Sequence, residues 1–125
     1  MKPKENISRS QEDYLEKILE LSQTNKIVRV TDLAQSMNIS KPSVNKSINI
    51  LKEQGLVDQE KYSFITLTKE GEEVAHGVRK RHDIIKMLLI KVGVDEETAE
   101  KEACEIEHSV SEATVEKLSA FLKKI

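Results

Sequence analysis

The sequence predicts a mainly helical chain, and three observations carry that expectation. Apolar residues recur at helical spacing over several stretches, and a capping residue stands before each of them. One segment alone, Leu56 to Leu67, is rich instead in β-branched and aromatic residues. The expected order is therefore three helices, a short hairpin, and three further helices.

Taking the elements in turn, Ser10 followed by Gln11, Glu12 and Asp13 reads as an N-cap with acids in the first turn. Tyr14, Leu15, Ile18, Leu19 and Leu21 then mark a first helix from about Ser10 to Thr24. Thr31 is expected to cap a short second helix carrying Leu33, Ala34 and Met37, with Asn38 supplying a left-handed turn after it. Ser40 caps a third helix, Pro42 fits its first turn, and Gly55 stands where a C-terminal cap belongs. Val57, Tyr62, Phe64, Ile65, Thr66 and Leu67 favour extended structure, with the reversal at Lys61, Tyr62 and Ser63. Thr68 caps a fourth, longer helix ending before Gly93; Asp95 a fifth through about His108; Ser111 a sixth to the end.

A length of 125 residues suits one compact domain or two small ones sharing a core, and favours a binder over a large α/β enzyme. No run of 18 apolar residues and no signal-peptide pattern is present, so the expectation is a cytoplasmic protein with no membrane partner. Cys104 is the single cysteine, which excludes an internal disulfide. Two Phe, two Tyr and no Trp make a poor stacking platform for single-stranded nucleic acid. The net charge of −2 hides an asymmetry: residues 1 to 95 hold 16 basic against 14 acidic side chains, residues 96 to 125 hold 4 against 8. From Ile39 to Lys52 there are three lysines and no acid, and local charge sets contact with phosphate.

Helix, short helix, sharp turn, helix and hairpin is the order of a winged helix-turn-helix, whose second helix enters the major groove. Residues 1–70 are read as that DNA-binding domain and residues 71–125 as a helical dimerisation domain. The broad apolar run of Ile84, Ile85, Met87, Leu88, Leu89 and Ile90 suits a helix buried on two sides, as at a dimer interface. At about 100° per residue, Val44, Ile48 and Leu51 of the third helix point inward. Pro42, Asn45, Lys46 and Asn49 lie opposite, with Lys41 and Ser43 near the start. Asn pairs bidentately with adenine, and Lys reaches guanine or phosphate. A solvated face or a protein-interaction module would show the same pattern.

Cys104, Glu107 and His108 have i, i+3, i+4 spacing and share one helix face, with Glu100 a turn earlier. A thiolate, a carboxylate and an imidazole so placed suit a transition metal. Taken singly, each has a plainer reading. Cys104 would be a small buried apolar residue, Asp13 and Glu16 solvated acids, and His82, within Arg79-Lys80-Arg81-His82, part of a basic exposed turn. No general base or substrate pocket stands out, so neither an enzyme nor a small-molecule substrate is expected.

The order Asp13-Tyr14-Leu15-Glu16, a Pro-Ser-Val helix-turn-helix with Lys61-Tyr62 in the wing, Arg81-His82, then Cys104-x-x-Glu107-His108 resembles the diphtheria toxin repressor and manganese transport regulator family. The resemblance implies a homodimeric repressor that binds operator DNA when loaded with Mn²⁺ or Fe²⁺ and controls metal-uptake genes. It implies metal ligation by Asp13, Cys104, Glu107 and His108, with Glu16 and His82 serving a second ion. It also implies DNA contact by Ser40, Lys41, Pro42, Ser43, Asn45, Lys46, Asn49, Lys61 and Tyr62. The pattern is a hybrid: the iron branch carries Met where Asp13 stands and Cys where Cys104 stands, while the manganese branch carries Asp and Glu there. Lys86 and Glu100 stand where the iron branch has the Glu and His of an ancillary site, and the chain ends without that branch's SH3-like domain. The alternative function is a metal-independent winged-helix subunit, either a protein-interaction module or a constitutive DNA binder.

Overall fold

The structure is a computed structural model that describes residues 7–25, 27–60 and 64–125. The chain divides into two compact units between His76 and Gly77. In the first unit the elements run α1 (Arg9–Thr24), β1 (Val28–Arg29), α2 (Val30–Met37), α3 (Lys41–Glu53), β2 (Val57–Gln59) and β3 (Phe64–Leu67). Helix α4 (Lys69–Lys91) begins there and continues into the second unit, which also holds α5 (Glu96–Ile106) and α6 (Glu112–Leu122).

Helix α1 starts at Ser8 rather than Ser10. The Gln11 N–H donates to Ser8 Oγ at 3.2 Å and the Ser8 N–H donates to Gln11 Oε1 at 2.9 Å, a reciprocal box that fixes the helix start. Tyr14, Leu15, Ile18 and Leu19 form the buried face. Helix α2 also begins earlier than expected, at Val30 instead of after Thr31, because the Asp32 carboxylate accepts the Arg29 N–H at 2.9 Å and closes the first turn from the other side. Asn38 is left-handed (φ 57°, ψ 48°) and reverses the chain into α3. There the Ser40 hydroxyl accepts the Ser43 N–H, and Val44, Ile48 and Leu51 are completely buried.

Strands β2 and β3 form the expected antiparallel hairpin, with Val57 opposite Leu67 and Gln59 opposite Ile65. The expected reversal at Lys61, Tyr62 and Ser63 lies outside the described residues. A third strand was not foreseen: β1 pairs antiparallel with β3, Val28 opposite Ile65 and Arg29 opposite Phe64, in the order β1-β3-β2. Two residues carry no periodicity of their own, so this strand exists only through its partner. Thr68 ties the wing to α4, donating to the Gly55 carbonyl at 2.7 Å and accepting the Gly71 N–H at 3.0 Å. Gly71 lies so close to the Leu56 backbone that no Cβ fits between them.

In the second unit Val78, Ile85, Ala99, Ala103 and Val115 are the buried apolar side chains, joined by two polar ones, His82 and Glu107. Asp95 caps α5 through the Thr98 N–H, and Ser111 caps α6 through the Thr114 N–H. Helix α5 ends at Ile106, with Glu107 as its C-cap, so His108 lies just beyond the helix instead of within it. Met87, at 47% exposure, and Val92, at 71%, leave apolar surface uncovered along the end of α4. No helix among the described residues is long and apolar enough to cross a membrane.

Candidate metal centre and nucleic-acid face

On α3 the packing face and the outward face separate as helical geometry requires. Ser40, Lys41, Pro42, Ser43, Asn45, Lys46 and Asn49 are all exposed. The hydroxyls of Ser40 and Ser43 are 3.0 Å apart, so both are partly committed to holding the helix start. Beside this face runs an open groove of about 740 Å³, lined by the start of α1 (Arg9, Ser10, Asp13), by Met37 and Ile39, and by Lys46 and Ile50 of α3. The contribution of Arg9 and Ser10 escaped sequence reasoning, because nothing local links the first turn of α1 to α3.

In the second unit, α4 supplies His82, α5 with its C-cap supplies Glu100, Cys104 and Glu107, and the turn that follows supplies His108. His82 is 1% exposed, inside the structure instead of on a basic turn. Helical rotation accounts for this: Val78, His82 and Ile85 share the inward stripe of α4, while Arg79, Lys80 and Asp83 point out. Both His82 ring nitrogens face carboxylates, Nδ1 at 2.8 Å from Glu107 Oε1 and Nε2 at 3.0 Å from Glu100 Oε1. The second Glu107 oxygen lies 3.3 Å from His108 Nε2, and Arg81 Nε donates to the Glu107 carbonyl at 2.9 Å. Cys104 Sγ is 3.7 Å from His82 Nδ1, and the residue is exposed, against the plain reading of a buried small side chain.

The imidazole, carboxylate and thiol donors gathered around His82 suit a transition metal. The hydrogen bond with His82, assisted by Lys86, holds the Glu100 carboxyl below the usual carboxylate range despite partial desolvation. Lys86 is correspondingly raised, chiefly by its hydrogen bond to Glu100. Of the expected ligands, the second unit brings His82, Cys104, Glu107 and His108 together. Asp13 and Glu16 stand on α1 in the first unit, neither of them fully exposed.

Residues 6–65 match the DNA-binding N-terminal domain of the iron dependent repressors, and residues 68–125 match their metal binding and dimerisation domain. The chain belongs to the diphtheria toxin repressor and manganese transport regulator family. As a family member it is a metal-dependent transcriptional regulator, not an enzyme. It is 39% identical over 120 residues to an uncharacterised helix-turn-helix transcriptional regulator of Methanocaldococcus jannaschii, covering 94% of this chain and 96% of that one. It is 34% identical over 113 residues to the transcriptional regulator MntR of Escherichia coli O157:H7, covering 90% of this chain and 73% of MntR. Among solved structures, a manganese-dependent transcriptional repressor in complex with manganese superimposes with a TM-score of 0.83 at 30% identity. That match covers 90% of this regulator and 52% of the other chain, so the regulator spans about half the length of that structural relative.

Proposed function

We propose that the protein is a homodimeric repressor that binds operator DNA when loaded with Mn²⁺ or Fe²⁺ and controls metal-uptake genes. Residues 1–70 serve as the operator reader and residues 71–125 as the dimerisation and metal-binding part. The observation that carries this reading is the buried His82, set between two carboxylates and beside Cys104, with His108 on the second Glu107 oxygen. The wild-type ligand set is Asp13, Cys104, Glu107 and His108, with Glu16 and His82 available to a second ion. A bound ion would supply positive charge and fixed ligand directions.

The protein's own groups do the rest. Asn45 and Asn49 read base edges, Lys41 and Lys46 meet phosphate or guanine, and Ser40, Pro42 and Ser43 bring the start of α3 close to the backbone; Lys61 and Tyr62 extend the contact from the wing. The uncovered Met87 and Ile90 of α4 supply the apolar surface for a second copy, which places two reading helices on one DNA molecule. Limiting the motion of the paired helices lowers the ordering cost of binding, so metal and DNA reinforce each other.

The test is a DNA-binding titration with chelator, Mn²⁺, anaerobic Fe²⁺ and Zn²⁺, run on wild type and His108→Ala. Binding that rises with Mn²⁺ or Fe²⁺ and is lost in a folded His108→Ala dimer is expected. Equal binding in chelator would select a metal-independent winged-helix protein.

A further inference from the structure

Lys86 stands one turn after His82 on α4 and falls outside the proposed ligand set. Its Nζ is 3.0 Å from Glu100 Oε1, the same oxygen that faces His82 Nε2, and 3.7 Å from Glu96 Oε2. Glu96, Glu100 and Cys104 follow one another at i, i+4 and i+8 on α5, so one stripe of that helix presents two carboxylates and a thiol to the stripe of α4 that carries His82 and Lys86. The donor atoms of His82, Glu100 and Cys104 all lie within 4.8 Å of one another. Nitrogen, oxygen and sulfur at such spacing make a set that borderline divalent ions accept.

We propose that Lys86 is a tethered cation at this cluster: its ammonium neutralises Glu100 and keeps that carboxylate from recruiting a further divalent ion beside His82 and Cys104. An ammonium has three donors and no lone pair, so it shares the carboxylate's charge without ligating anything. A divalent ion on the same oxygen would sit within a few ångströms of it, where like charges repel. The Lys86 side chain is 24% exposed, and its ammonium is paired with both Glu100 and Glu96. The chain thereby sets how many ions it takes through one lysine. The expectation that wild type binds any ion rests on the proposed function; the gain of an ion on removing the lysine does not.

The test uses Co²⁺, counted by equilibrium dialysis and native mass spectrometry, with thiolate-to-cobalt absorption reporting on Cys104. Lys86→Gln is expected to bind one more Co²⁺ per chain than wild type, Lys86→Arg to keep the wild-type count, and the pair Lys86→Gln with Glu100→Gln to lose the extra ion. A Lys86→Gln protein with the wild-type count, or an extra ion that persists without the Glu100 carboxylate, overturns the proposal. Should wild type bind no Co²⁺ while Lys86→Gln binds one, the metal-dependent repressor reading fails and the tethered cation stands. A second measurement needs no variant. Acetylation of the Lys86 amine in wild type is expected to be unchanged by saturating Co²⁺, and a several-fold rise would show the ammonium displaced and sink the idea.

Discussion

His82 Nδ1 lies 2.8 Å from Glu107 Oε1, and both side chains are 1% exposed. Removing Glu107 leaves His82 Nδ1 buried without that oxygen, while Nε2 keeps Glu100. Glu107→Ala is therefore expected to destabilise the metal-free protein by about 1 to 3 kcal/mol. Glu107→Gln, which keeps an acceptor for the ring, should cost less. Urea unfolding in chelator measures both; a Glu107→Ala protein as stable as wild type would mean the pair carries no structural weight.

On α3, Asn45→Ala should relax sequence choice at one base position, whereas Lys46→Ala should weaken binding across sequences, each by about 1 to 3 kcal/mol. Both residues are exposed on the face opposite Val44, Ile48 and Leu51, so metal binding and folding should be untouched. Affinities for an operator and its single-base variants distinguish the two effects. Unchanged affinity in both proteins would remove α3 as the reader.

Cys104 is the soft donor beside hard carboxylates, and thiolate favours Fe²⁺, Co²⁺ and Zn²⁺ over Mn²⁺. Wild type is expected to respond to Fe²⁺ at least as well as to Mn²⁺, and Cys104→Glu to shift the preference toward Mn²⁺. DNA affinity measured with each ion decides it. An unaltered Fe²⁺ to Mn²⁺ ratio in Cys104→Glu would show that the thiol is not a ligand.

The joint between the wing and α4 depends on Thr68 and Gly71. Thr68→Val removes the donor to Gly55 and the acceptor for Gly71 while keeping the shape, and should cost about 1 to 3 kcal/mol. Gly71→Ala drives a methyl into the Leu56 backbone, and overpacking of that kind costs about 1 to 3 kcal/mol or more. Thermal unfolding should place both midpoints below wild type, with the second unable to recover by side-chain repacking because its obstacle is main chain.

Asp95 caps α5, and its carboxyl is held below its ordinary value, first by the hydrogen bond from the Thr98 N–H. A carboxylate lowered on folding contributes stability that is present above its unfolded value and lost as pH falls through its folded one. Asp95→Asn keeps a capping oxygen without the titration. Unfolding midpoints compared at pH 7 and pH 3 should therefore fall less in Asp95→Asn than in wild type; equal losses would place the acid sensitivity elsewhere.

Much of the first unit was legible because its signals are local. Ser40, Pro42 and Asn38 act within a turn of where they stand, and the inward stripe of Val44, Ile48 and Leu51 follows from helical periodicity alone. Asp95 and Ser111 were readable as caps for the same reason. Where two local signals competed, the one with more partners won: Ser8 caps α1 because Gln11 answers it.

By itself, then, the sequence determined the order of the elements, the turn before α3, the outward face of that helix, and the family through its ordered motifs. Only the tertiary structure decided that Val28 and Arg29 are a strand, since their pairing partner lies more than thirty residues away in β3. It also decided that His82 is buried between Glu100 and Glu107, and that Lys86 reaches Glu100. Helical spacing tells which residues share a face of one helix. Which face of another helix they meet, and so which charges are paired and stripped of water, is a property of packing that no single stretch of sequence contains.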